Sequence, residues 1–122
     1  MTKTQQGQDA MRLESKELDN GVTQVSLAGR LDIAGANVIE MKFSVLAGSR
    51  QKLIADLSEV TFLGSMGLRV LITCATAIAR RGGKMALVTP QGDVEKALKV
   101  SAIDTVIPMF PSLPEAVAAV SA

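Results

Sequence analysis

The side chain best suited to chemistry in this chain is the hydroxyl of Ser65, which stands between Gly64 and Met66. A strand-like apolar run precedes this position and a helical spacing of apolar residues follows it, so we expect Ser65 at or near the N-cap of a helix. A serine there either caps the helix, by accepting a hydrogen bond from a free amide, or receives a phosphate, which the same amides and the helix dipole favour. The two roles are compatible.

The composition argues against catalysis by the chain itself. It contains no histidine and one cysteine, so the commonest general base is absent and a His/Cys metal site cannot form. A serine without histidine or a well-placed lysine has no base to activate it. The glycine patterns of nucleotide-binding loops are also absent. We therefore expect no enzyme, no metal and no cofactor.

Charge and hydropathy restrict the partners. Thirteen basic and twelve acidic residues give a formal net charge of +1, and the aromatic residues are three Phe, so we expect no direct binding of nucleic acid. No apolar run approaches the ~20 residues of a membrane span, so we expect no membrane insertion. The single cysteine suits a reducing compartment, and we expect a cytoplasmic protein. Residues 1–10 are predicted to be a flexible tail and residues 11–122 a single domain.

The elements that must position Ser65 can be predicted from periodicity and turn signals. A β-hairpin is expected around Asp19-Asn20-Gly21, because Asn-Gly between strand-like runs is a strong hairpin signal. Ser112 is expected to cap the last helix, with Glu115 as its partner three residues on. The remaining pattern predicts helices over about 34–46, from Ser65 to Arg80, and over 93–100. It predicts strands over 52–57, 84–89 and 106–110, and the last of these is expected to be an edge strand.

The helix after Ser65 is predicted to carry two stripes. Its core stripe is expected to comprise Leu68, Leu71, Ile72, Ala75, Ile78 and Ala79. Cys74 is expected to be a small buried packing residue. A second stripe is either covered by another element or presented to a partner, and it comprises Met66, Val70, Thr73 and Ala77.

Two strands followed by alternating helices and strands predict an α/β fold with the order β-β-α-β-α-β-α-β-α. We expect a mixed sheet of four to five strands packed with four helices. Two motifs in this order resemble the STAS domain, and the closest similarity is to the stand-alone anti-sigma factor antagonists of bacterial partner-switching systems. The motifs are Gly29-Arg30-Leu31-Asp32 and Asp56-Leu57-Ser58-x-Val60-x-Phe62-x-x-Ser65-x-Gly67-Leu68.

The resemblance implies a phosphorylation switch. In that family an anti-sigma factor with serine kinase activity phosphorylates the serine before the helix, and a metal-dependent phosphatase reverses this step. The unphosphorylated form binds the anti-sigma factor and frees the sigma factor. On this chain the resemblance assigns the phosphorylated position to Ser65, the turn glycine to Gly67 and the acidic loop residue to Asp32. Asp32 either caps the first helix or contacts the partner or the nucleotide of the kinase.

The surface expected to bind the partner surrounds the start of the Ser65 helix. An alternative is a STAS subunit that docks permanently in a larger assembly, such as a lipid-transport ATPase complex or a signalling scaffold, without a phosphate cycle. Gly64 and Met66 favour this alternative, because family members commonly carry Asp and Ser or Thr at these positions. The expected partner-binding residues are Asp32, Gly64, Met66, Gly67, Arg69, Val70 and Thr73.

Overall fold

A computed structural model describes residues 10–88, 90 and 92–122 of the chain. Over these residues the strands and helices follow the predicted order, with short 3₁₀ turns at Asp19–Gly21 and Ile103–Thr105. Residues 1–9 of the predicted tail and Thr89 of the predicted fourth strand lie outside the described residues. The elements are β1 (Arg12–Glu17), β2 (Thr23–Leu31), α1 (Ile33–Ser49), β3 (Lys52–Leu63), α2 (Ser65–Arg80), β4 (Lys84–Val88), α3 (Gly92–Val100), β5 (Met109–Phe110) and α4 (Leu113–Ser121).

The strands form one mixed sheet in the order β1-β2-β3-β4-β5. The first pair is antiparallel and the other three pairs are parallel. The hairpin between β1 and β2 is confirmed, and Asn20 (φ 69°) and Gly21 (φ 74°) take the left-handed conformation that its turn requires. Each parallel pair needs a crossover, which α1, α2 and α3 supply in turn.

The sheet is buried on both faces at its centre, and this explains the continuous apolar run in β3. Leu53 and Ala55 belong to the main core, which α1, α2 and α3 cover. Ile54, between them, points to the opposite face, where α4 packs. Successive side chains of a strand alternate between faces, so a strand covered on both sides must be apolar throughout. The smaller cluster comprises Val22, Ile54, Ala86, Val88, Ala116 and Val120.

Strand β3 is twice as long as predicted, since the expected range ended at residue 57. The pairing with β2 shifts twice, between Ser26 and Ala28 and again between Gly29 and Arg30, so that β3 contains extra residues at bulges. The buried residues in this part, Leu57, Val60 and Leu63, therefore recur every third position. A strand normally repeats every second position, and the bulges removed that signal.

The core stripe of α2 was predicted correctly only in part. Leu71, Ala75 and Ile78 are buried, but Ile72 is 38% exposed and Ala79 is exposed, so these two assignments were wrong. The helix is rotated so that Cys74, one turn from Leu71 and Ile78, faces the core. Burial of Cys74 is thereby confirmed, and it raises the pKa of the thiol to about 12, so the sulfur remains a protonated packing group.

The ends of several elements also differ from the prediction. Helix α1 is longer at both ends than the expected 34–46. The last strand contains only Met109–Phe110, because the chain before it forms a 3₁₀ turn and leaves Val106 exposed. Pro108 has no amide hydrogen, but its carbonyl accepts a hydrogen bond from Leu87 N at 2.9 Å. The predicted cap of the last helix is present, with Ser112 Oγ accepting from Glu115 N at 3.4 Å.

Gly67 packs closely against the end of β2, and this contact leads to a prediction. A Cβ atom on Gly67 would lie 2.5 Å from Leu31 Cγ and 3.0 Å from the Leu31 carbonyl oxygen. Leu31 is fully buried, so its side chain has little room to move. We expect Gly67→Ala to lower the free energy of unfolding by ~1–3 kcal/mol, as overpacking typically does, in a urea titration.

Gly48, in α1, is the matched control. It is also a helical glycine, but its Cβ would meet no atom within 4 Å. Gly48→Ala should therefore raise the free energy of unfolding by ~0.5–1 kcal/mol through helix propensity alone. Equal effects of the two substitutions would contradict the importance of the contact with Leu31.

Candidate functional site

The candidate site lies where β2 and β3 end side by side. Leu31 and Leu63 are the last paired residues of the two strands. The amide of Gly64 donates to the carbonyl oxygen of Leu31 at 3.1 Å and so ties the two strand ends together. Helix α1 begins two residues after Leu31, and α2 begins two residues after Leu63. Two helix N-termini therefore start from the same edge of the sheet, where their free amides attract negative charge.

Ser65 is the first residue of α2 and not its N-cap. Gly64 occupies the cap position, with extended backbone angles, and no side chain accepts a hydrogen bond from the first turn of α2. The expected position at or near the N-cap is therefore confirmed, whereas the capping role, one of the two considered for its hydroxyl, is not observed. Ser65 is exposed, and its hydroxyl makes no hydrogen bond to any residue that the structure describes. This hydroxyl is accessible from outside and is not required to complete the helix.

Asp32, in contrast, caps α1, as one of the two sequence interpretations proposed. Its Oδ1 accepts a hydrogen bond from Gly35 N at 2.8 Å. This bond is the main reason that the pKa of the Asp32 carboxyl lies below its ordinary value, and Arg30 lowers it further against a partly opposing effect of burial. Asp32 therefore holds a negative charge at the N-terminus of α1.

Arg30 forms a small charged cluster that sequence reasoning missed. Its Nε lies 3.5 Å from Asp32 Oδ2, and its guanidinium carbon lies 4.5 Å from the centroid of the Phe62 ring. Arg30 and Phe62 are paired across β2 and β3. That pairing depends on the bulges in β3, so only the observed register could bring these two residues together. An arginine over an aromatic face gains cation–π attraction.

A groove of about 580 Å³ runs between α1 and α2. Four of the residues expected to bind a partner line its α2 side: Met66, Arg69, Val70 and Thr73. Ala77 continues this wall, so the predicted second stripe faces an open groove and no further described element covers it. The remaining three residues expected to bind a partner, Asp32, Gly64 and Gly67, do not line the groove. The α1 wall and the floor comprise Glu40, Phe43, Ser44, Ala47, Gly48 and Cys74.

Gly64 and Gly67 contribute through the backbone. Gly64 adjoins the Phe62 ring, since a Cβ on this glycine would lie 3.2 Å from the ring carbon Cε2. Gly67 is buried against Leu31 and cannot itself present a side chain to a partner. Together they fix where α2 begins, and with it the position of the Ser65 hydroxyl.

Helix α1 presents a second apolar surface that was not anticipated. Val38, Met41 and Val45 are 58%, 77% and 64% exposed. Their spacing of three and four residues puts them on one side of the helix. We refer to these three residues as the α1 stripe.

Two further findings concern the described part of the chain. Within residues 10–88, 90 and 92–122, no cluster of three or more His, Cys, Asp or Glu side chains is arranged to hold a metal ion. None of the helices in those residues is both long enough and apolar enough to span a lipid bilayer.

Comparison with known proteins identifies the family and the fold. The chain matches the STAS domain over residues 15–116. The anti-sigma-F factor antagonist RsfB of Mycobacterium tuberculosis is 29% identical over 102 residues, which are 83% of this chain and 83% of RsfB. An anti-sigma factor antagonist from Mycobacterium paratuberculosis, known from its crystal structure, superposes with a TM-score of 0.83 at 30% identity, over 93% of this chain and 97% of that chain.

The fold is also that of SpoIIAA, which is known in two states. The unphosphorylated form of this anti-sigma factor antagonist has a TM-score of 0.75 at 19% identity, over 89% of this chain and 96% of that chain. The phosphorylated form, from Bacillus, has a TM-score of 0.69 at 18% identity, over 89% of this chain and 99% of that chain. The chain belongs to the STAS domain family.

The lowered pKa of Asp32 predicts how the stability of the site depends on pH. A pKa that folding lowers adds stability above the ordinary value of 3.8, and this stability is lost as pH falls through the folded-state pKa. We expect Asp32→Ala to lower the urea midpoint at neutral pH, with a smaller difference from the wild type well below pH 3.8.

Asp32→Asn separates the charge from the cap. Asparagine is a good N-cap, so this variant should keep the hydrogen bond to Gly35 and lose less stability than Asp32→Ala at neutral pH. If the urea midpoints of the wild type and Asp32→Ala differ by the same amount at neutral pH and well below pH 3.8, the ionised carboxylate has no role in stability.

Proposed function

We propose that this protein is an anti-sigma factor antagonist in a partner-switching pathway. Its unphosphorylated form binds an anti-sigma factor that is also a serine kinase, and this binding releases the sigma factor. Phosphorylation of Ser65 blocks the interaction, and a metal-dependent serine phosphatase restores it. The observation that carries the proposal is the exposed Ser65 hydroxyl, which neither caps α2 nor bonds to any described residue. The names of its STAS relatives support the same role.

The proposed docking surface combines the start of α2 with the groove. Met66, Val70 and Thr73 offer partly apolar contact area. The buried Phe43 ring and the Ala47 methyl group form an apolar surface on which a partner side chain could be shielded from water. Arg69 and Glu40, on opposite walls, supply one charge of each sign at the rim. Asp32 and Gly64 lie at the end of this surface, beside Ser65.

The switch follows from electrostatics. A phosphate on Ser65 adds about −1.5 to −2 charges to a surface that already contains the ionised carboxylate of Asp32. In the free protein water solvates these charges. In a complex the partner must remove that water, and a desolvated anion without a partner cation opposes association.

In the proposed transfer this chain is the substrate, and the kinase supplies the chemistry. Ser65 Oγ forms a bond to the terminal phosphorus of a nucleoside triphosphate, and the bond between that phosphorus and the leaving nucleoside diphosphate breaks. The hydroxyl proton passes to a base of the kinase, because this chain has no histidine to accept it. Exposure of Ser65 gives such an active site access to the oxygen.

Calorimetric titration of two Ser65 variants with the cognate anti-sigma factor tests the proposal. Ser65→Ala should abolish phosphate incorporation and largely keep the affinity, because the alanine leaves the surface uncharged. Ser65→Asp should weaken binding by roughly tenfold or more, or ~1.4 kcal/mol. The urea midpoint of Ser65→Asp should be no lower than that of Ser65→Ala, because an acidic side chain is favourable at the start of α2.

Ser15→Asp is the control for a general effect of added charge. Ser15 is exposed on β1, away from the strand ends that carry Ser65. The additional carboxylate there should leave the affinity unchanged. Equal affinities of Ser65→Ala and Ser65→Asp, or an equal loss with Ser15→Asp, would refute the local electrostatic switch.

A second function, that of a subunit docked permanently in a larger assembly, is favoured by one observation. The α1 stripe presents three large apolar side chains that nothing in the described residues covers. Such a surface commonly marks a protein contact. In that case the α1 stripe serves constant docking, and no phosphate cycle is needed.

Intact-mass measurement of the protein from its native host distinguishes these functions. A mass increase of one phosphate that maps to Ser65 is expected for the switch. Permanent docking instead predicts an unmodified chain under all growth conditions, and Val38→Ser with Met41→Ser in the α1 stripe should then release it from its assembly.

A further inference from the structure

Two arginines from different elements are related to Ser65, Arg69 by its spacing along α2 and Arg30 by its contact with the Phe62 ring. Arg69 is on α2, and Arg30 is at the end of β2. If Ser65 is phosphorylated, as proposed above, these two cations are candidates to meet the phosphate. The inference below concerns how the phosphate is held, and it rests on the proposed function.

Arg69 is four residues after Ser65, so the two side chains are neighbours on the surface of α2. Side chains at this spacing have their Cβ atoms about 5–6 Å apart. Arg69 is exposed, and it forms no ion pair or hydrogen bond with any residue in the described part of the chain. Its guanidinium is thus free to turn towards an anion on Ser65.

Arg30 is connected to the start of α2 through the Phe62 ring. The guanidinium lies 4.5 Å from the centroid of that ring. The same ring lies against Gly64, where its Cε2 would be 3.2 Å from a Cβ atom. Ser65 follows Gly64 directly, and consecutive Cα atoms are about 3.8 Å apart. The Phe62 ring therefore holds the guanidinium over the strand ends from which Ser65 emerges.

Arg30 is also easily released from its present partner. Its contact with Asp32 is a single approach of 3.5 Å between exposed groups, and such pairs contribute little. Asp32 does not depend on it, since the hydrogen bond from Gly35 is the main stabiliser of the carboxylate. A phosphate carries more charge than a carboxylate and accepts two parallel hydrogen bonds from a guanidinium.

We propose that Arg30 and Arg69 form a clamp that holds the phosphate on Ser65 within this domain. On phosphorylation, Arg30 leaves Asp32 and pairs with the phosphate while it stays stacked on Phe62, and Arg69 closes from the α2 side. Two carboxylates adjoin this arrangement: Glu40, on the groove wall that faces Arg69, and Asp32, the present partner of Arg30. The clamp keeps the anion ordered at the docking surface and leaves the ionised carboxylate of Asp32 without its arginine.

The test uses the full-length protein with phosphoserine installed at position 65 by genetic encoding, so that no kinase is needed. The second pKa of the phosphate, ordinarily about 6, is read from the ³¹P chemical shift as pH is varied. Opposite charges within ~4–6 Å lower a pKa by roughly a unit or more, so Arg30→Gln and Arg69→Gln should each raise the value by about one unit. Arg30→Lys should give a phosphate pKa between those of the wild type and Arg30→Gln, because lysine keeps the charge but cannot form the paired hydrogen bonds.

Arg80→Gln is the matched control. Arg80 is an exposed arginine at the last position of α2, fifteen residues and about 22 Å from Ser65, which is beyond the screening distance of about 8 Å at physiological salt. Its removal should leave the phosphate pKa unchanged. Urea midpoints of the unphosphorylated variants establish that each one folds.

An unchanged pKa in Arg30→Gln overturns the clamp, and a shift only in Arg69→Gln does the same, since pairing along one helix would then be sufficient. Equal shifts in Arg80→Gln would reduce the effect to net charge and also overturn it. These outcomes are independent of the proposed function. If the clamp is refuted, the affinity difference between Ser65→Ala and Ser65→Asp can still be observed. If the proposed switch is refuted, the ³¹P titration can still be measured.

Discussion

The hydrogen bond from Gly64 N to the Leu31 carbonyl, at 3.1 Å, fixes the geometry on which the rest of the site depends. It joins the ends of two parallel strands at the point where each chain turns into a helix. Gly67 then lets α2 pack directly on Leu31, where any Cβ atom would collide. As a result α1 and α2 start side by side, and the groove between them opens beside Ser65. The position of one hydroxyl thus depends on backbone contacts that a side chain would disrupt.

The two adjacent helix starts are electrostatically unequal. Asp32 supplies the N-terminus of α1 with both a hydrogen-bond acceptor and a negative charge. The first turn of α2 has neither an acidic residue nor a side-chain cap. The positive end of its dipole is therefore open, and the residue exposed there is a serine. An anion added to Ser65 meets favourable amides and nearby guanidinium groups within its own domain, so it needs no rearrangement of the core. Because α2, unlike α1, has no acidic residue or cap at its start, an anion on Ser65 would change the charge of the surface without changing the fold.

Much of the fold could be predicted from the sequence, and the failures have physical causes. Asn20-Gly21, the Asp32 cap and the buried Cys74 follow from local rules, and all three are present. The second half of β3 was missed because two bulges replace the spacing of two by a spacing of three. The contact of Arg30 with Phe62 depends on that same shifted register and has no local signal. Ser65 could be placed only at or near the cap, because the choice between Gly64 and Ser65 is made by backbone angles, which residue types at a Gly-Ser turn do not determine.

The groove and the α1 stripe differ in whether their binding can be regulated. The α1 stripe consists of valine and methionine side chains, which accept no phosphate and whose contacts depend only on buried apolar area. The groove is lined by Arg69 and reaches Met66, which follows the exposed Ser65 hydroxyl in the chain, and Asp32 and Arg30 lie at the adjoining strand end. Adding one phosphate therefore alters the electrostatics of one surface and leaves the other unchanged. Because both surfaces involve α1, a partner on the stripe and a partner at the groove would be neighbours, one bound constantly and the other released by modification.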